Sequence, residues 1–184
     1  MKVLLLSGGM DSALILAQEH ESIDLAMTFS YGQPHDQEIK AAKNLAKLFG
    51  VEWELCDLSS MFSKNTTGLL GGSDLTPEGS FVRARNFSFV IAACARGATE
   101  VLLGANLSDQ SAYPDCRPGA LASLEKSLSE AGSPCAITLP LSETPKSEVI
   151  KAYSALQLEA TTVSCYRGNR CGICPPCNEI GAAQ

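Results

Sequence analysis

Short apolar runs alternate with stretches of helical periodicity along most of the chain, and no other feature restricts its fold so tightly. Val3–Leu6, Leu25–Phe29, Glu52–Cys56, Glu100–Gly104 and Ala136–Leu139 have the length of strands rather than helices. Ser12–His20, Asp36–Phe49, Ala84–Ala95, Gly119–Ala131 and Lys146–Leu156 read as helices between them. In Asp36–Phe49, the residues Ile39, Ala42, Leu45, Ala46 and Phe49 recur at the spacing of one helix face, and Gly50 follows as a stop. Strands that alternate with helices predict a parallel sheet covered on both faces, a doubly wound α/β fold. Residues 59–80 are rich in Ser, Thr and Gly, and predict a mobile loop or lid. With 184 residues, 45% of them hydrophobic, the chain suits a single domain over 1–184.

Ligands of doubly wound folds sit at the carboxyl ends of strands, near a switch in strand order. The stretch KVLLLSGGMDSALILAQ places a Ser-Gly-Gly turn at such an end, between the first strand and the first helix. Glycines there let backbone N–H groups approach an anion, and the helix adds its positive dipole end. Ser7 and Ser12 add hydroxyls. The turn is neither GxGxxG nor GxxxxGK[ST], since it has no third glycine and no lysine. A plain tight turn with Asp11 or Ser12 as cap is the simpler alternative. The order strand, SGGxDS, helix favours a phosphate cradle formed by Ser7, Gly8, Gly9, Asp11 and Ser12.

The C-terminus carries Cys165, Cys171, Cys174 and Cys177, four thiols within thirteen residues. Two C-x2-C pairs share Cys174, and Gly172 supplies a tight turn. The spacing predicts a structural four-thiolate zinc site in a C-terminal segment of about residues 160–184. An iron–sulfur cluster uses the same ligands, and redox disulfides are a further alternative. Cys56, Cys94 and Cys135 fall in apolar runs and read as core residues. A net charge of −6 argues against broad binding to nucleic-acid backbones, though not against a pocket for a small anion. No apolar stretch approaches a membrane span, and no secretory signal is evident, so the expected location is the cytoplasm.

Three further stretches fall where the pocket would lie: Tyr31-Gly32-Gln33, Arg83-Ala84-Arg85-Asn86, and Ala112-Tyr113-Pro114-Asp115-Cys116-Arg117-Pro118. Arg85 and Arg117 are candidates for a phosphate or a substrate carboxylate, which a guanidinium binds through two N–H groups. Asn86 could orient an amide or ammonia, and Asp115 could accept from paired N–H donors. Tyr31 or Tyr113 could stack on a base. His35 reads as a surface residue with a base as the alternative role, and Cys116 as a pocket thiol rather than a nucleophile.

SGGMDS resembles the PP-loop of ATP pyrophosphatases, enzymes that split ATP between its α and β phosphates. SGGMDS, YGQ-x-H, ARN, YPDCRP and C…CGxCxxC together, from Leu5 to Cys177, resemble the 7-cyano-7-deazaguanine synthase family. That resemblance implies a PP-loop fold of the adenine nucleotide alpha hydrolase type. The implied reaction adenylates 7-carboxy-7-deazaguanine with ATP and Mg2+, adds ammonia, and dehydrates the amide to a nitrile by a second adenylation. It further implies zinc on the four cysteines, phosphate contact by Lys146, substrate contacts among Tyr31, Gln33, Arg85, Asn86, Tyr113, Asp115, Cys116 and Arg117, and a homodimer. Departures are also visible. The chain is short, with the stretches at 59–80 and 118–135 trimmed, Pro34 in YGQ-x-H where a basic residue is usual, and no arginine after Cys177. Related alternatives are an adenylating enzyme that stops at the amide or uses another acceptor, a sulfur-transferring PP-loop enzyme, and a non-catalytic nucleotide- or deazaguanine-binding module.

Overall fold

The computed structural model describes residues 1–158 and 161–182. The ends of the expected 160–184 segment, Ala160 and residues 183–184, lie outside them. Five strands, β1 (Lys2–Leu5), β2 (Leu25–Ser30), β3 (Trp53–Asp57), β4 (Glu100–Leu102) and β5 (Ala136–Thr138), form one sheet in the order β3-β2-β1-β4-β5. Every pairing is parallel, with Val3 beside Leu25 on one side and beside Val101 on the other. The chain moves outward from β1 to β2 and β3, then returns to the other side of β1 as β4. The switch point is therefore the crevice between the carboxyl ends of β1 and β4.

Helices cover both faces, as the alternation predicts. The helices are α1 (Met10–Glu19), α2 (Gln37–Phe49), α3 (Pro77–Ser80), α4 (Arg85–Ala95), α5 (Leu107–Ala112), α6 (Pro118–Glu130), α7 (Lys146–Ser154) and α8 (Pro175–Ala182). Leu4, Ala26 and Leu102 face one core with Leu14, Ile15, Leu45, Ala46 and Val149 of α1, α2 and α7. Val3, Leu5, Met27 and Val101 face the other core, with Phe89, Val90 and Ala93 of α4 and Leu124 and Leu128 of α6. Strands buried on both faces need side chains that are apolar on both, which is why β1 and β2 read as continuous apolar runs.

Three elements differ from expectation. Residues 59–80 are not an open loop: they hold two short 3-10 turns and α3, and bury Leu69, Leu70 and Leu75. α5 was not expected, because it is short and its sequence is polar. It is held by a capping box in which Asn106 Oδ1 accepts the Ser108 and Asp109 N–H groups while Asp109 accepts the Asn106 N–H. α8 starts at Pro175-Pro176, a pair that reads as a breaker yet is tolerated in a first turn, where the N–H groups have no helical partners.

Candidate functional site

The β1–α1 turn opens on the switch point. Gly8 has φ +84°. A side chain there would strike the Glu38 carbonyl of α2, so this position requires glycine for packing as well as conformation. Gly9 is extended, at φ −85° and ψ 170°, and leads into the first turn of α1. Hydroxyls converge on this turn. Ser7 Oγ lies 3.0 Å from Ser12 Oγ and accepts the Gly9 N–H at 3.2 Å. Ser12 Oγ accepts the Ser7 N–H at 3.2 Å and donates to the Gly9 carbonyl.

Beside the turn, Lys146 at the start of α7 donates to both Asp11 oxygens, at 2.9 and 2.8 Å. The lysine is not an exposed surface residue: its side chain is only 14% exposed. Burial alone would lower its pKa, but Asp11, Asp109 and Glu179 outweigh that and keep it charged. Asn106 Nδ2 donates to Asp11 Oδ1 at 3.0 Å, tying the end of β4 to α1. Asp109 is pushed up to about 6 by burial and by the neighbouring charge of Asp11. Here three carboxylates surround one ammonium.

A cavity of about 350 Å3 runs from this turn past Glu38, Arg85, Asn86, Asp115 and Cys116. Within it Arg85 is half-buried, with its guanidinium 5.5 Å from the Tyr31 ring and 5.8 Å from that of Phe89. Among the described residues its Nε has no hydrogen-bond partner. The Asn86 N–H donates to Asp115 Oδ2 at 3.0 Å, so Asp115 caps the first turn of α4 from across the site. Asn86 Nδ2 donates to Cys116 Sγ at 3.1 Å. Burial, with the charges of Asp109 and Asp115, pushes the Cys116 thiol up to about 12, so it stays protonated at neutral pH.

The structure therefore brings Ser7, Gly9, Asp11, Ser12, Lys146, Tyr31, Gln33, Arg85, Asn86, Tyr113, Asp115 and Cys116 to one cavity, with Gly8 packed behind it. Gln33 acts through its amide, which bridges the Tyr31 N–H and the Phe29 carbonyl and fixes the β2 turn. Two of the expected residues are placed differently from the rest. Arg117 is exposed and lies outside the cavity, because it stands before α6 and turns its Nε to the Gln110 carbonyl at 3.1 Å. Tyr31 lines the cavity but is buried, its ring against Phe62 and Phe89 with Arg85 over it. Phe81 and Tyr113, nearly parallel with centroids 6.3 Å apart, are one aromatic pair at the cavity, and Phe29 and Phe89, stacked at 4.2 Å, are another. His35 is also less exposed than its polar surroundings suggest, with Nε2 3.2 Å from the Tyr166 carbonyl.

Sequence reasoning missed Glu38, Phe81, Asp109, Ser164, Tyr166 and Glu179, all of which line the cavity. Only Asp109 left a sequence signal, the Asn106-x-x-Asp109 cap.

At the C-terminus the sulfurs of Cys165, Cys171, Cys174 and Cys177 all lie within 4.8 Å of one another. Cys171 and Cys177 are 3.9 Å apart. Tetrahedral thiolates on a bond of about 2.3 Å are separated by about 3.8 Å, so the donor set fits a single tetrahedral metal. The segment then lines the cavity with Ser164, Tyr166, Pro175, Pro176 and Glu179.

A five-stranded parallel sheet with a serine–glycine turn at its switch point is the fold shared with PP-loop-type and NAD-synthetase-like structures. Residues 1–183 match the family described as queuosine biosynthesis protein QueC. The 7-cyano-7-deazaguanine synthase of Pseudomonas syringae pv. tomato is 36% identical over 206 residues, covering 95% of this chain and 88% of that protein. The synthase of Ralstonia nicotianae is 34% identical over 204 residues, covering 95% and 89%. These alignments are longer than the 184-residue chain, so the relatives carry residues that this chain lacks. Among solved structures, the U34-tRNA thiolase NcsA of Methanococcus maripaludis has a TM-score of 0.57 at 23% identity, covering 86% of this chain and 58% of that one. The NH3-dependent NAD synthetase of Campylobacter jejuni has a TM-score of 0.53 at 21% identity, covering 86% and 64%. The chain belongs to the QueC family of queuosine biosynthesis.

Proposed function

We propose that this protein is an ATP-dependent carbon–nitrogen ligase that converts 7-carboxy-7-deazaguanine and ammonia to 7-cyano-7-deazaguanine. The observation that carries this reading is that one cavity joins a phosphate cradle with its lysine to the Arg85–Asn86–Asp115–Cys116 cluster. The family match and the names of the relatives supply the substrate class.

A carboxylate is a poor electrophile, so attack by ammonia needs an acyl adenylate. Ser7, Gly9, Ser12 and the first turn of α1 hold the departing pyrophosphate, and Lys146 neutralises it. Arg85, charged and with an unpartnered Nε, binds the substrate carboxylate. Asp115 keeps one oxygen on the α4 turn and offers the other to the guanine-like N–H edge. Phe81 and Tyr113 hold the flat ring system. Asn86 orients the amide formed in the first half, whose oxygen is adenylated in the second. Cys116 stays a thiol and packs the pocket, with no covalent role.

Mg2+ bound with ATP would supply further charge neutralisation on the phosphates. Asp11 and Asp109 are the oxygen donors placed to hold it, and the negative surplus around Lys146 fits a divalent cation. Zinc on the four cysteines would hold the C-terminal segment against the cavity. Among the described residues no helix is long and apolar enough to cross a membrane.

Ser12→Ala and Lys146→Gln should each lower AMP release to about 1% of wild type or less, while the melting curve stays cooperative. Wild-type AMP release by either folded variant would overturn the assignment of the cradle.

A further inference from the structure

The C-terminal segment reaches the phosphate turn itself. The Val163 N–H donates to the Gly8 carbonyl at 2.9 Å, and Ser164 Oγ accepts the Met10 N–H at 3.3 Å. A Cβ built on Gly9 would stand 3.4 Å from both Ser164 Oγ and Ser7 Oγ. Three hydroxyls, Ser7, Ser12 and Ser164, therefore gather at one short stretch of backbone, and the third arrives from 154 residues away. The next residue is Cys165, whose sulfur belongs to the four-thiolate cluster. Its other neighbour in the segment, Tyr166, is held from two sides, by His35 at its carbonyl and by Tyr113 at its hydroxyl, 3.1 Å away.

We propose that Ser164 is a third hydroxyl ligand for the phosphate held by the β1–α1 turn, and that the neighbouring metal cluster delivers it there. The proposal rests on the reading of that turn as the ATP phosphate site. As it stands, Ser164 Oγ is an acceptor that occupies the Met10 N–H. Rotation about its Cα–Cβ bond presents the O–H to a phosphate oxygen and at the same time frees the Met10 N–H for the same anion. One internal hydrogen bond is thus exchanged for two donors aimed at a charged acceptor, the stronger kind. Ser7 Oγ, which accepts the Gly9 N–H, can make the same exchange. The arrangement also makes phosphate affinity depend on the metal, because the Ser164 backbone is fixed through Cys165.

Calorimetric titration with inorganic pyrophosphate and Mg2+ tests this on the full chain, with metal content measured in parallel. Ser164→Ala should weaken pyrophosphate about tenfold and keep its bound metal, while Ser164→Thr, which retains the hydroxyl, should bind close to wild type. Chelation should weaken pyrophosphate more in wild type than in Ser164→Ala, because the variant has already lost the contact that the metal holds in place. If Ser12→Ala weakens pyrophosphate but Ser164→Ala does not, the inference fails and the cradle stands. If neither does, both fail. Equal weakening by Ser164→Ala and Ser164→Thr with metal retained would also overturn it, since the hydroxyl would then not be the active group.

Discussion

Gly8 and Gly9 are adjacent and answer to different forces. Gly8 is required by the fold: it takes a left-handed conformation and sits against the backbone of α2. Gly9 has an ordinary extended backbone, and its missing side chain leaves open the space between the Ser7 and Ser164 hydroxyls that the proposed phosphate site would use. Gly8→Ala should therefore lower the melting temperature by about 4 °C or more, whereas Gly9→Ala should melt near wild type yet lose ATP turnover. Thermal melts of the two variants with an AMP assay check this, and the reverse assignment would contradict it. Glu38 makes a separate prediction. Burial raises its carboxyl from 4.5 to about 7, against the pull of Arg85. A raised folded-state value means that the stability tied to its protonated form is present below about pH 4.5 and lost as pH rises through about 7. Glu38→Gln should match wild type near pH 4.5 and melt about 2–5 °C higher at pH 8. A pH-independent difference would refute it. These residues also show what a sequence displays. SGGMDS and the cysteines are legible because their partners lie a few positions away. Glu38 and Ser164 are not, since each reaches the site only through tertiary packing, and Arg117 carries the right chemistry but faces away.

At the scale of elements, the strands and the long helices follow from period and length, since both faces of the sheet must be covered. The short elements do not. α5 depends on a capping box, α8 on prolines placed where helical N–H groups are unneeded, and residues 59–80 on three buried leucines in a polar stretch. The C-terminal segment is the element with most at stake. The segment gathers four sulfurs, one of them on α8, and touches the β1–α1 turn through Val163 and Ser164. On the proposed zinc reading, removing the metal, or Cys174→Ser, should loosen that contact by leaving the cluster short of a ligand or of its ion. Hydrogen exchange at the Val163 and Met10 amides should then accelerate at least about tenfold, while amides of β1 and β2 stay protected. Unchanged exchange at Val163 would show that the segment docks without its metal.

For the whole molecule, the strand order explains why distant parts of the sequence meet. The β1 and β4 ends diverge at the switch point, so the loops after them, α7 and the C-terminal segment all face one crevice. The acidic chain, with a net charge of −6, nevertheless places two cations, Lys146 and Arg85, in that crevice, which is what the proposed anionic substrates require. The most direct test of the account gives the purified protein 7-carboxy-7-deazaguanine, MgATP and ammonium, and reads deazaguanine products and AMP by mass spectrometry. Two adenylations predict the nitrile with about two AMP for each molecule formed, by the stoichiometry of two acyl-type activations. Amide alone, or no AMP at all, would contradict it.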